Sequence, residues 1–136
     1  MKRLIELAVL NHQIDLKRGE PKYMDNEWLL NAIIDEVKEV KDEIKPNNVA
    51  HLEDELSDIL WGWLTLVEKL KDRGYVTSHE AILQRALKKY EQRILPLKGD
   101  ERDDAIWKEV KARQKEELER ERVSRIRRED VHSCSC

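Results

Sequence analysis

Apolar residues recur through the first two thirds of the chain at intervals of three and four positions, the period of a helix face rather than the alternation of a strand. Leu4, Leu7, Ala8, Asn11 and Ile14 mark a first helix from about Lys2 to Lys17, and Gly19 and Pro21 in RGEP stop it. A second helix, capped by Asp25 or Asn26, carries Leu30, Ile33, Ile34, Val37, Val40 and Ile44 and ends before Pro46. The third starts near Asn48. Its stripe is Leu52, Leu56, Ile59, Leu60, Trp63, Leu66, Val67 and Leu70, and Gly74 is its expected C-terminal cap. Thr77 and Glu80 make a T-x-x-E capping box for a fourth helix through Ile82, Leu83, Ala86, Leu87, Tyr90 and Ile94 to Pro96. Four stripes with short links predict an all-α fold, an antiparallel four-helix-type bundle.

A fifth helix is expected from near Asp100, anchored by Ile106, Trp107 and Val110. Beyond about Gln114 the run EELERERVSRIRRED has no continuous apolar stripe, and i,i+4 ion pairs add only a few tenths of a kcal/mol each. A mobile arm is the expectation there, with Arg125, Arg127 and Arg128 as solvated charges. The predicted organisation is a helical domain over 1–97 and a charged C-terminal helical arm with a flexible tail over 98–136.

Composition narrows the function classes. The 26 Lys and Arg against 29 Asp and Glu leave a net charge of −3, so no global basic field argues for nucleic acid. Phe is absent and Gly and Pro number 4 and 3, which suits helices over twisted sheet. The N-terminal segment is interrupted by Glu6, Asn11, His12 and Asp15, so it forms no secretory core, and no apolar run is long enough to span a bilayer. A soluble cytoplasmic protein without a membrane partner is expected. Cys134 and Cys136 in HSCSC would close too small a disulfide loop to matter. With His132 they make a weak metal signal, so a dangling tail is the reading.

Candidate chemistry lies on the flanks of the stripes. On a helical wheel Glu36, Glu39 and Glu43 fall together beside the second helix's apolar arc, with Lys38 and Lys41 on the other side. Glu55 and Asp58 flank the third helix's stripe, where Gly62 and Thr65 are read as leaving space for a ligand. If the two helices pack antiparallel, both acidic flanks face one cleft, and their mutual repulsion calls for a cation. The donors are all oxygen and neither Glu pair has the E-x-x-H form, so Mg²⁺ or Mn²⁺ suits them better than iron or zinc. Lys89 and Arg93, i and i+4 on the fourth helix, add two cations. Carboxylates, a metal and Lys/Arg together handle phosphate. Taken singly each pair reads as a solvated flank; the joint arrangement carries the functional reading. Trp61 points away from the main stripe, which argues for a second buried surface and an oligomer. Trp28 is a core or interface residue, or stacks on a base.

These residues resemble the MazG-type all-α nucleoside triphosphate pyrophosphohydrolases. DEVKEV at 35–40 is similar to the family's E-E-x-x-E-L segment, DELSDILW at 54–61 to its E-E-L-G/S-D-[VI]-L segment, and RALKKYEQRI at 85–94 to its basic K-x-x-x-R ending. The resemblance covers roughly 25 to 95. It implies a helical bundle working as a homodimer or homotetramer, and hydrolysis of a nucleoside triphosphate to the monophosphate and pyrophosphate. It further implies Glu36, Glu39, Glu55 and Asp58 as Mg²⁺ ligands, Lys89 and Arg93 on the phosphate chain, and Glu39 as the general base with Glu43 as its rival. Two alternatives stay open: a phosphoribosyl-ATP pyrophosphohydrolase, which has a related fold and the same chemistry, and a non-catalytic helical interaction module.

Overall fold

The computed structural model describes residues 1–133, and among these it holds five α-helices and no strand. They are α1 (Lys2–Arg18), α2 (Asn26–Glu43), α3 (Val49–Asp72), α4 (His79–Ile94) and α5 (Asp103–Ser133), with a short 3-10 turn at Pro21–Met24. No described helix is long and apolar enough to cross a membrane. Cys134 and Cys136 lie outside the described residues.

Local chemistry sets the helix ends. Gly19, left-handed at φ 68°, donates its N–H to the Asp15 carbonyl and ends α1. The Asp25 carboxylate accepts from the Glu27 N–H at 3.0 Å and opens α2. After α2, Pro46 bars further helix and Asn47 takes a left-handed φ of 55°, a conformation asparagine tolerates better than most residues. Asn48 then reaches back, its Nδ2 donating to the Glu43 carbonyl at 2.9 Å and to Glu43 Oε2 at 2.6 Å. Gly74, at φ 81°, follows α3 as expected. One expectation needs correction. The fourth helix is capped by Ser78, whose Oγ accepts from the Ala81 N–H at 3.0 Å, rather than by Thr77. The charged segment after Gln114 continues as helix to Ser133. No Gly or Pro follows Gly99, and pairs such as Arg122–Glu119 and Arg125–Glu121 fall at helical spacing.

The chain divides into two compact units, Met1–Ile82 and a second that begins at Leu83. In the first, α3 packs against both α2 and α1, and Ala8, Leu29, Leu64 and Val67 are buried. The buried face of α1 runs through Ala8, His12 and Asp15, positions i, i+4 and i+7, and leaves Leu4 and Ile14 exposed. Lys69 Nζ donates to Asp15 Oδ2 at 2.7 Å and meets His12 Nδ1 at 3.4 Å, while His12 Nε2 faces Asp72 Oδ2 at 3.1 Å. A neutral His12 protonated on Nε2 satisfies both contacts. His79 Nε2 donates to the Leu64 carbonyl at 2.8 Å and its ring lies edge-on to Trp63. These groups join the core because each has a partner, the condition for burying polarity without loss.

In the second unit, Val110 and Gln114 of α5 are buried. The Gln114 amide ties α5 to α4: its Nε2 donates to the Lys89 carbonyl at 3.1 Å and to Gln92 Oε1 at 2.9 Å, and its Oε1 accepts from Arg93 Nε at 2.8 Å.

Candidate functional site

The turn at 44–48 folds α2 back along α3, and one glycine fixes how close they come. A Cβ built on Gly62 would lie 2.8 Å from Ile33 Cγ1, well inside contact distance. Gly62 therefore does not hold ligand space open; Ile33 fills it, and the missing side chain lets the two helices approach. Glu36 follows Ile33 by one turn of α2, and Glu55 precedes Gly62 by two turns of α3.

That approach gathers Glu36, Glu39 and Glu55, each offering a carboxylate oxygen within 4.8 Å of the others. Glu36 and Glu55 are partly buried and Glu39 is exposed. Burial, then the hydrogen bond and charge of Glu39, then the charges of Asp58 and Glu55, push the Glu36 carboxyl from 4.5 up to about 7. Glu55 is raised too, by burial first and then by the charges of Glu39 and Asp58. Glu55 Oε2 is buried and has no hydrogen-bond partner among the described residues. An orphaned carboxylate oxygen facing two more carboxylates is a cost that bound positive charge removes, and an all-oxygen donor set is of the hard divalent-cation type.

The remaining candidates are placed differently. Asp58, one turn beyond Glu55, lies outside the close triad, although its charge acts on both Glu36 and Glu55. Glu43 is engaged by Asn48 at 2.6 Å and by Lys45 at 4.0 Å, so its carboxylate serves the α2–α3 turn. Trp28, in the first turn of α2, is 39% exposed and lies edge-on to Tyr23, with ring centroids 5.5 Å apart. In the second unit, Lys89 Nζ sits over the Tyr90 ring at 5.4 Å, and Arg93 Cζ lies 5.3 Å from the Trp107 ring centroid and 5.8 Å from that of Tyr90. Gln114, which holds Arg93, and Asn48, which holds Glu43, stand in the sequence only as a segment boundary and a helix start, not as partners of those charges. Their only signal is an amide set among charges, and amides are common on any solvated surface.

The family model of the MazG nucleotide pyrophosphohydrolase domain matches residues 24–94, just over half of the chain. The span contains the α2 and α3 acids, Lys89 and Arg93. No curated protein and no solved structure matches the chain. An all-α chain in which Glu36, Glu39 and Glu55 converge across a close helix contact, within the span that the family model matches, belongs to the MazG nucleotide pyrophosphohydrolase family.

Proposed function

We propose that the protein hydrolyses nucleoside triphosphates to the monophosphate and pyrophosphate, with Glu36, Glu39, Glu55 and the adjacent Asp58 holding Mg²⁺, for which Mn²⁺ can substitute. The observation that supports this reading best is the orphaned Glu55 oxygen beside two further carboxylates. When bound, the divalent cation supplies charge neutralisation at phosphate oxygens and acidifies the attacking water. Glu39 is the exposed member of the triad and takes up that water's proton, whereas Glu43 is occupied by Asn48. Lys89 and Arg93 supply positive charge for the phosphate chain, and Trp28 a face for the base. A panel of nucleotides assayed for pyrophosphate release in Mg²⁺, with Glu36→Gln and Asp58→Asn as controls, tests the assignment. Release that falls at least a hundredfold in both variants is expected, and no release from any nucleotide refutes it.

The same reading includes self-association. Leu30, Ile34 and Val37, at i, i+4 and i+7 on α2, are 50%, 49% and 52% exposed, an apolar row that a single chain leaves in water. Sedimentation of wild type against Ile34→Asp is expected to show an assembled species that the variant dissociates. A monomeric wild type at micromolar concentration overturns this part.

A further inference from the structure

A cleft of about 510 Å³ lies between α4 and α5 in the second unit. Lys88, Lys89 and Arg93 line it from α4, and Lys111 and Lys115 from α5. Among the described residues none of these five makes an ion pair with a carboxylate, although Glu117 of α5 also lines the cleft. Arg93 is moreover held in place, its Nε on the buried Gln114 amide at 2.8 Å and its guanidinium against Trp107. At one end the Arg85–Glu121 pair, 2.9 Å apart, neutralises the lining.

Five cations against the single carboxylate of Glu117 leave the cleft positive and repel one another, and a low-dielectric floor, here including Leu118, strengthens the field they share. We infer that this cleft is a binding site for a condensed phosphate, the diphosphate or triphosphate group, completed by Lys111 and Lys115 of α5. Near neutral pH a single phosphate carries at most two negative charges and leaves about half of that excess unmatched; a condensed phosphate carries three or four. The volume falls in the range of small-ligand pockets. A nucleic-acid backbone fits less well, because it needs a continuous basic track, and α5 interleaves Glu116, Glu117, Glu119 and Glu121 with its basic residues. Lys111 and Lys115 lie beyond residues 24–94, so the family model does not assign them. The inference rests on the proposed function for the phosphate-binding role of Lys89 and Arg93, but binding in this cleft requires no catalysis.

Titration calorimetry of the full chain with inorganic pyrophosphate in EDTA tests it, because chelation keeps the acidic cluster out of the measurement. Saturable binding is expected, weakened about tenfold or more in Lys111→Ala/Lys115→Ala and retained in Lys108→Ala and Glu36→Gln. Arms with inorganic triphosphate and with a nucleoside triphosphate separate a free anion from a nucleotide tail, and tight binding of either supports the site. A nucleoside monophosphate is expected to bind at least tenfold more weakly than pyrophosphate. Absence of saturable binding to wild type, equal weakening in Lys108→Ala, or tighter binding of a single-stranded oligonucleotide than of pyrophosphate overturns the inference. Pyrophosphate binding without hydrolysis of any nucleotide would defeat the proposed activity alone; hydrolysis without pyrophosphate binding would defeat this site alone.

Discussion

Replacing Glu36 with Gln is expected to stabilise the metal-free protein above neutral pH while removing its response to Mg²⁺. The carboxyl titrates near 4.5 when unfolded and near 7 in the fold, chiefly through burial and secondarily through Glu39. Between those values the native state holds a proton that the unfolded chain has released. Stability therefore declines as pH rises from about 4.5 to about 7 and stays low above, the reverse of a salt-bridged carboxylate. A tenfold change in proton affinity is worth about 1.36 kcal/mol, which sets a ceiling of roughly 3 kcal/mol. Glu36 is only partly buried, and solvent screening reduces this to about 1 kcal/mol. For a chain of this size that is a rise in Tm of about 4 °C. Thermal unfolding in EDTA at pH 8 is expected to show that rise for Glu36→Gln, and below about pH 4, where the wild-type carboxyl is protonated in both states, the two proteins are expected to unfold together. Mg²⁺ at a hundred times its Kd adds about 2.7 kcal/mol to wild type, so the order of stability reverses when the metal is added. A variant less stable than wild type at pH 8 in EDTA, or one that keeps the Mg²⁺ shift, would refute the reasoning.

Lys69→Met strands Asp15 as a buried, unpaired carboxylate and is expected to cost about 3 kcal/mol or more in urea unfolding, whereas Lys69→Met/Asp15→Leu recovers most of the loss; a double variant no better than the single would disprove the pair's role. Gly62→Ala drives a methyl into Ile33, and the roughly 1–3 kcal/mol of overpacking exceeds the gain of about 1 kcal/mol in helix propensity. Its effect is expected to be non-additive with Ile33→Ala by about 1 kcal/mol, and strict additivity would show that this contact is not the cause.

Much of the first unit was legible because its signals are local. Asp25 before an apolar stripe, Gly19 and Gly74 after one, and Pro46 between two each act within a turn of their own position, and α1, α2 and α3 begin and end where those residues predict. The segregation of Glu36 and Glu39 from Lys38 and Lys41 is likewise a property of one helix, set by its period. A resemblance carried by residues 35–40 and 54–61 needed only the order of two such helices.

What stands across the gap between helices carries no local signal. Gly62 beside acids reads as open space until Ile33 is found in it. Glu43 reads as one more member of an acidic flank until Asn48, across the turn, takes its oxygen. Wheel position separates apolar from polar but cannot say which polar groups meet a partner, so the burial of the Lys69–Asp15 ion pair is decided only by the packing of α1 on α3. The sequence by itself determined the helices and the side on which each presents its acids. Only the tertiary structure decided that three carboxylates meet within 4.8 Å and that one of their oxygens is left without a partner, because those distances depend on how closely one glycine lets two helices approach.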